Sequence, residues 1–163
     1  MKRMRVEIFH CSKYGNGAKV AEELQKLLTI KGEDVNVHHI REVEAKRLPT
    51  ADLYIFGSPG RIGKPMGKMR RFLKKVDLPP STRYAIFSTE GAARPNKKTG
   101  QMPSEEELAK WQRILPIMNE LLQAKSLTKV AEMKFVVTDI KGPLRDDWQQ
   151  KAAGFIATIL SRS

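Results

Sequence analysis

The residues whose types and spacing point most clearly to chemistry lie in one short loop, residues 12–17. The loop reads Ser-Lys-Tyr-Gly-Asn-Gly and follows an apolar run. Its two glycines let the backbone turn tightly and bring amide groups close to a ligand. The helix predicted to follow directs unpaired amides and the positive end of its dipole into the loop. Together with the hydroxyls of Ser12 and Tyr14 and the charge of Lys13, this pattern favours a bound phosphate dianion. A plain turn between a strand and a helix is the alternative.

Other candidate residues carry weaker signals. The loop spacing fits neither a Walker loop nor the GxGxxG dinucleotide pattern. His38 and His39 are adjacent on a predicted strand, so they point to opposite faces and cannot share one metal ion. His10 is interpreted mainly as a structural residue, Cys11 as a small core residue and Trp111 as a packing residue. Since no Ser-His-Asp triad or pair of carboxylates can be assembled, we predict no catalytic residue and no metal site.

The composition indicates a globular protein with a strong positive charge. A length of 163 residues predicts one domain, spanning residues 1–163, and 40% hydrophobic residues supply a core. Thirty Lys and Arg residues against 18 Asp and Glu residues give a net charge of +12, which attracts anionic partners. No apolar run reaches the roughly 18 residues of a membrane span. The single cysteine excludes an intramolecular disulfide and favours a cytoplasmic location.

The elements that must position the loop alternate between strands and helices. Strands are predicted at residues 5–11, 34–40, 53–56, 84–87 and 133–138. Helices are predicted at residues 18–31, 41–46, 66–76, 104–124, with an interruption at Pro116, and 145–160. Residues 89–103 are predicted as one long loop. This alternation predicts an α/β fold, a three-layer α-β-α sandwich around a parallel sheet. Ligands bind beyond the carboxyl ends of such strands, at the loops that start at Ser12, Gly57 and Ser88.

The order of these motifs resembles the flavodoxin family. The loop at 12–17 is similar to that family's Ser/Thr-x-Thr-Gly-x-Thr phosphate loop. Residues 52–59, followed by Gly-Lys-Pro at 63–65, resemble its third strand and first flavin loop, and residues 87–91 resemble its second flavin loop. Gly-Pro-Leu at 142–144 matches the usual entry to its last helix. The resemblance covers nearly the whole chain, and it implies a five-stranded parallel sheet of order 2-1-3-4-5 and non-covalently bound FMN.

The resemblance also implies a cofactor site formed by three loops, the first around the phosphate and the other two around the isoalloxazine ring. The residues of this site are Ser12, Lys13, Tyr14, Gly15, Asn16, Gly17, Ser58, Pro59, Gly60, Arg61, Ile62, Gly63, Thr89, Glu90 and Gly91. Gly17 stands where the family's phosphate loop ends in threonine. Residues 57–65 and 88–103 contain no aromatic side chain, so Arg61 and Ile62 are expected to cover the ring.

The function implied by the resemblance is electron transfer to or from a protein partner. The positive charge favours an acidic redox partner such as a ferredoxin-type protein, whereas no specific nucleic-acid binding is expected. The basic cluster at 64–75 is interpreted as a solvated helix face, and the cluster at 94–98 as a docking candidate. Two alternatives stay open. One is an NAD(P)H-dependent reductase whose loop 89–103 closes over a small substrate such as a quinone, and the other is a flavin-free domain that binds an acidic partner.

Overall fold

The sheet and the helices that cover it are seen in a computed structural model of the chain, which describes residues 2–61 and 63–162. The strands are β1 (Arg5–His10), β2 (Asp34–His39), β3 (Leu53–Arg61), β4 (Lys64–Pro65), β5 (Arg83–Gly91) and β6 (Thr128–Val137). The helices are α1 (Asn16–Ile30), α2 (Gly67–Lys75), α3 (Glu105–Trp111), α4 (Ile114–Gln123) and α5 (Trp148–Arg162). Two short 3-10 turns, Ile40–Glu42 and Ala45–Arg47, replace the weak helix predicted at 41–46.

The strand order is β2-β1-β3-β5-β6, and all neighbours along this path are parallel. The two-residue strand β4 folds back and pairs antiparallel with the end of β3. Counted over the parallel strands alone, the order is the predicted 2-1-3-4-5. The predicted flavodoxin-like sandwich is therefore confirmed, with one short hairpin strand that the sequence pattern did not indicate.

Each central strand buries side chains on both faces of the sheet. Ile8 belongs to the core under α1 and α5, whereas its neighbour Phe9 belongs to the core under α2 and α4. On α1, the side chains of Val20, Leu24 and Leu28 are buried because their spacing puts them on one face of the helix. Burial on both faces explains why the strands read as continuous apolar runs rather than as alternating patterns.

Two strands run further than predicted. β3 ends at Arg61 rather than at 56, and β5 ends at Gly91 rather than at 87. The loops predicted to start at Gly57 and Ser88 are therefore strand ends, which pair with each other through Ser58 opposite Ser88. Serine and glycine have low strand propensity, but backbone pairing with neighbouring strands outweighs that propensity here.

The helix predicted at 104–124 is interrupted, as expected, but not at Pro116. α3 begins after Ser104, whose hydroxyl oxygen accepts a hydrogen bond from the backbone N–H of Glu107 at 3.2 Å. It ends at Trp111, and α4 begins at Ile114, so Pro116 lies in the first turn of α4. Proline has no N–H to donate to the carbonyl four residues earlier, and the first turn is where that missing donor costs least.

Candidate functional site

The loop at 12–17 leaves the N-terminus of α1 free of any capping side chain. Gly15 is the N-cap residue, with a left-handed φ of 95°, and no side chain caps the helix. The first turn contains no acidic residue, and the first backbone bond of the helix runs from Lys19 N–H to Gly15 O at 2.9 Å. The first amides of α1 therefore have no acceptor within the helix, and the positive end of its dipole faces the loop.

Two histidines, His10 and His39, contact the backbone at the start of the loop. Ser12 N–H donates to His10 Nδ1 at 3.1 Å, and His39 Nε2 lies 3.3 Å from Ser12 O. Arg41 N–H donates to His39 Nδ1 at 3.2 Å, which leaves Nε2 as the protonated nitrogen of His39. Burial, followed by the nearby His39, lowers the pKa of His10 to about 4. His10 is therefore neutral at physiological pH and remains an acceptor for the loop.

The loop opens into a cavity of about 360 Å³ at the carboxyl ends of β1, β3, β5 and β6. Most of the predicted site residues meet on its wall. These are Ser12, Lys13, Tyr14, Asn16, Gly17, Pro59, Gly60, Arg61, Thr89 and Gly91. Three cationic side chains, Lys13, Arg61 and Arg94, line the cavity against one carboxylate, Asp139, so the site carries a positive charge.

Several wall residues were not predicted. They are Met66, Ala92, Arg94, Val137, Thr138, Asp139 and Ile140. Four of them follow or end β6, whose carboxyl end lies at the same edge of the sheet as those of β3 and β5. The rule that ligands bind at this edge was applied only to three strand ends, and its application to β6 would have found residues 137–140.

The connection after β6 also lies against the loop at 12–17. Gly142 has a φ of 102°, and a Cβ atom built on it would lie 2.6 Å from Asn16 Oδ1. Lys13 Nζ and Lys141 Nζ lie 5.3 Å and 5.8 Å from the centroid of the Tyr14 ring. The half-exposed tyrosine is therefore flanked by two cations, one from each segment, which favours its position at the cavity wall.

Other predicted site residues lie behind or beside the wall. The hydroxyl of Ser58 is buried, where it donates to Pro59 O at 2.9 Å and accepts from Met66 N–H at 3.1 Å. It thus supports the β3–β4 turn, while Gly15 borders a neighbouring hollow. Cys11 is buried beside Ser58, which confirms its interpretation as a core residue, and burial raises the pKa of its thiol to about 11.

Gly63 is held in place by the junction of α3 and α4. Gly63 has a φ of 71°, and a Cβ atom there would lie 1.6 Å from the carbonyl oxygen of Trp111. Arg113 N–H donates to Gly63 O at 2.7 Å. The side chain of Trp111 is 76% exposed, so its interpretation as a packing residue was wrong. Ile62, a predicted site residue, lies outside the described residues.

Glu90 is a buried carboxyl group at the end of β5. It accepts a hydrogen bond from the Ser88 hydroxyl at 2.5 Å, and its other oxygen has no hydrogen-bond partner in the described part of the chain. Burial raises the pKa of Glu90, and the Ser88 hydrogen bond and the charge of Lys134 only partly oppose this shift. The residue therefore favours its neutral form more than a solvent-exposed glutamate does.

Two further kinds of site were sought in the described residues, a metal site and a membrane span. In the described ranges, no group of three or more His, Cys, Asp or Glu residues is arranged to hold a metal ion. Within residues 2–61 and 63–162, no helix combines the length and hydrophobicity that crossing a bilayer requires.

A parallel sheet of this order, whose first strand leads through a loop to an uncapped helix N-terminus, is typical of flavodoxin-like α/β proteins. Residues 7–142 match a family described as a flavodoxin domain. Because this match spans well over half of the chain, the chain belongs to that family. The resemblance expected from the sequence motifs is confirmed.

Solved structures agree with the fold. The chain is similar to oxidised Flavodoxin 2 from Bacillus cereus, with a TM-score of 0.73 and 14% identity over 98% of this chain and 99% of that one. It is also similar to a flavodoxin from the domain Archaea, with a TM-score of 0.66 and 19% identity over 97% and 98% of the two chains.

A third similarity involves part of a larger protein. Rubredoxin oxygen:oxidoreductase from Desulfovibrio gigas aligns with a TM-score of 0.64 and 17% identity over 95% of this chain and 37% of that one. No curated protein matches the chain. At these identities, the structural similarities show the fold alone.

Proposed function

We propose that this chain binds FMN at the carboxyl edge of its sheet and passes electrons to or from an acidic redox protein. The observation that carries the proposal is the uncapped N-terminus of α1, which opens into a positively charged cavity of about 360 Å³. That volume is within the range of pockets for small ligands and cofactors, roughly 300–1,000 Å³. An uncapped helix end favours a phosphate group. A place for the FMN phosphate and a cavity for the rest of the cofactor therefore occur side by side.

The residues present suit FMN. The amides of Asn16 and Gly17, with the charge of Lys13, would hold the phosphate. Pro59, Gly60 and Arg61 would lie on the ring side, where a guanidinium plane can stack on a conjugated ring. When bound, FMN supplies one- and two-electron redox chemistry. The chain positions the group, limits water access and sets the charge around it.

The proposed partner follows from charge. The net charge of +12 favours an acidic protein, because opposite potentials steer association and speed encounter. A single cysteine, buried just after β1, suits a reducing cytoplasm. An electron carrier needs no catalytic residue of its own, in agreement with the absence of a recognisable triad or paired-carboxylate motif in the sequence.

A second candidate function is reduction of a small apolar substrate such as a quinone at the expense of NAD(P)H. The observation that favours it is apolar exposure at the cavity: Tyr14 is 46% exposed and Ile140 is 72% exposed, and both line the wall. Large apolar side chains left open at a cavity mouth suit an apolar ligand. Under this proposal, FMN held by the same residues would supply the redox chemistry. NAD(P)H would give up a hydride, which carries two electrons and one proton, and the quinone would take these with one further proton from solvent to become a hydroquinone.

The test is FMN uptake by the purified chain. We expect stoichiometric quenching of FMN fluorescence and a visible flavin absorbance band that remains with the protein after gel filtration. Failure to take up FMN at micromolar concentrations would contradict both candidates and favour a flavin-free binding domain. NAD(P)H oxidation by the loaded chain alone, stimulated by a soluble quinone, would favour the reductase over the carrier.

A further inference from the structure

A groove of about 500 Å³ lies between α2 and the two 3-10 turns at residues 40–47, on the face opposite α1 and α5. We call this hollow the basic groove. Five exposed cationic side chains line it, and they are Arg41, Lys46, Lys68, Arg71 and Lys75. One carboxylate, Glu44, is also on its wall.

The sequence explains why these cations gather. Lys68, Arg71 and Lys75 are three and then four residues apart, so they share one face of α2. The other face buries Met69 and Leu73 in the core under α2 and α4. Arg41 and Lys46 come from the turns after β2, which pack beside α2. Two segments distant in sequence thus contribute cations to one surface.

These cations are not neutralised within the chain. In the described part of the molecule, none of the five forms an ion pair, and the carboxylate on the groove wall, Glu44, pairs instead with Arg47 at 3.8 Å. Elsewhere on the surface, Lys129 and Arg113 do have carboxylate partners, Glu132 and Glu120. A cluster of unpaired like charges raises the local potential and attracts an anionic partner.

The shape of the groove favours a protein over the other anions. Ile40 and Phe72 form an apolar floor that is largely buried, between the cationic rims. An apolar centre within a charged rim is the usual anatomy of a protein interface. A membrane surface would instead call for exposed apolar side chains, and the large exposed ones, Tyr14, Ile30, Met102, Trp111 and Ile140, all lie outside the groove.

The groove also adjoins the candidate cofactor site. His39 lies on the groove wall, and its Nε2 is 3.3 Å from Ser12 O in the phosphate loop. A protein seated in the groove would therefore be next to the cavity. We propose that the basic groove, rather than the loop at 94–98, docks an acidic redox protein through carboxylates on the partner's surface. This inference rests on the proposed electron-transfer function.

The test compares three charge-reversed variants that change the net charge equally. K68E/R71E alters the groove, and K97E/K98E alters the long loop. K26E/K31E alters two exposed positions on the opposite face, one on α1 and one at the C-cap of α1. The probe is an acidic [2Fe–2S] ferredoxin, titrated by calorimetry into the chain with and without FMN. NMR shift mapping on the labelled chain locates the contact.

We expect K68E/R71E to weaken ferredoxin binding at least about tenfold at low ionic strength, against about twofold for each of the other variants. The difference should vanish near 1 M salt, where the Debye length is about 3 Å. Equal losses in all three variants, or the largest loss in K97E/K98E, would overturn the proposal. A single-stranded RNA and phosphatidylserine vesicles are titrated in the same way. The proposal would also be overturned if K68E/R71E weakened binding to one of these probes but not to ferredoxin.

The same experiment separates this inference from the proposed function. Circular dichroism and FMN uptake are measured for every variant, and all three should match the unaltered chain because the changed side chains are exposed. If the unaltered chain takes up no FMN but K68E/R71E still weakens ferredoxin binding, the cofactor proposal is overturned and the proposed docking role of the basic groove is retained. Normal FMN uptake with unchanged ferredoxin binding overturns the groove alone.

Discussion

The two ends of the candidate site are built in different ways. The phosphate end comes from one continuous stretch, residues 12–17, and its polar groups belong to a single turn and helix start. The ring end is assembled from the ends of β3 and β5, the residues after β5 and the segment 137–140. The first end therefore depends on local residue types, and the second depends on how distant strands align. Substitutions should act on the two ends by different physical routes.

The largest expected effect is at the phosphate end, with G17D. A Cβ atom at Gly17 would lie 3.4 Å from Ser12 Cβ, so the backbone accepts a side chain there. A carboxylate at the second position of α1 stabilises the helix end but repels a phosphate, at a cost of about 4 kcal/mol for charges 4 Å apart. We expect FMN affinity to fall about 100- to 1,000-fold while the melting temperature of the flavin-free protein is unchanged or raised.

The matched control is G17N, which has nearly the same shape without the charge. It should lose at most about tenfold in affinity, as measured by FMN fluorescence titration. Equal affinities of G17D and G17N would mean that the phosphate does not lie at the start of α1, and the contrast between the two ends would then disappear.

A smaller effect is expected behind the phosphate end, at His10. H10A removes the acceptor of Ser12 N–H, a part-buried donor, and should weaken FMN binding up to about tenfold, because an unpaired donor costs about 1–3 kcal/mol when buried and less when part-buried. H10N places an amide oxygen near the position of Nδ1 and should retain most of the affinity. Loss of affinity in both variants alike would show that packing of the imidazole, rather than its hydrogen bond, supports the loop.

The same pair of variants reports a pH dependence. His10 has a pKa of about 4 in the folded chain against an ordinary value of 6.5, so the unfolded chain binds more protons between these values. Its contribution to stability is complete above pH 6.5 and is lost as the pH falls towards 4. Urea unfolding across this range should show a shallower pH dependence for H10N than for the unaltered chain.

At the ring end, Arg61 should tune the potential more than the affinity. R61A removes a cation from the cavity wall, so it should weaken FMN binding only severalfold and make the second reduction more negative by a few tens of millivolts. R61K retains the charge without the guanidinium plane and should keep the potential. If R61A and the unaltered chain have the same second reduction potential, Arg61 does not have this role.

The unaltered chain also tests the positive charge of the site as a whole. A very low second reduction potential would exclude that charge as a factor that tunes the flavin.

The smallest expected effect concerns Glu90, behind the ring end. Its pKa is raised above the ordinary value of 4.5, so the folded chain binds more protons than the unfolded chain just above that pH. Stability is therefore lost as the pH rises through this window. E90Q, which cannot ionise, should gain stability relative to the unaltered chain as the pH rises from 4.5 to 8, as measured by urea unfolding. Parallel stability curves for the two proteins would argue against a shifted pKa.

The difference between the two ends also explains what the sequence could predict. The loop at 12–17 and the Ser104 cap follow from local residue types, and the alternation of strands and helices follows from periodicity. The strand order is implied by the family resemblance, because the pairing of strands is not a local property. The wall at 137–140 lies at the carboxyl end of the strand predicted at 133–138, so the rule on strand ends reaches it. The irregular register of β6 against β5 at Tyr84 and Ala85, in contrast, follows from no local pattern. The exposure of Trp111 likewise depends on where α3 ends relative to the turn at Gly63, since tryptophan alone predicts burial.

The contact of Asn16 with Gly142 has a consequence for biosynthesis. Residues 12–17 are synthesised before the segment that packs against them, because that segment follows β6. A nascent chain that has formed β1 and α1 thus presents an anion-attracting helix end before the cavity that gives selectivity exists. Cofactor capture is therefore expected as a late maturation step, and a stalled or clipped chain would attract anions without discriminating among them.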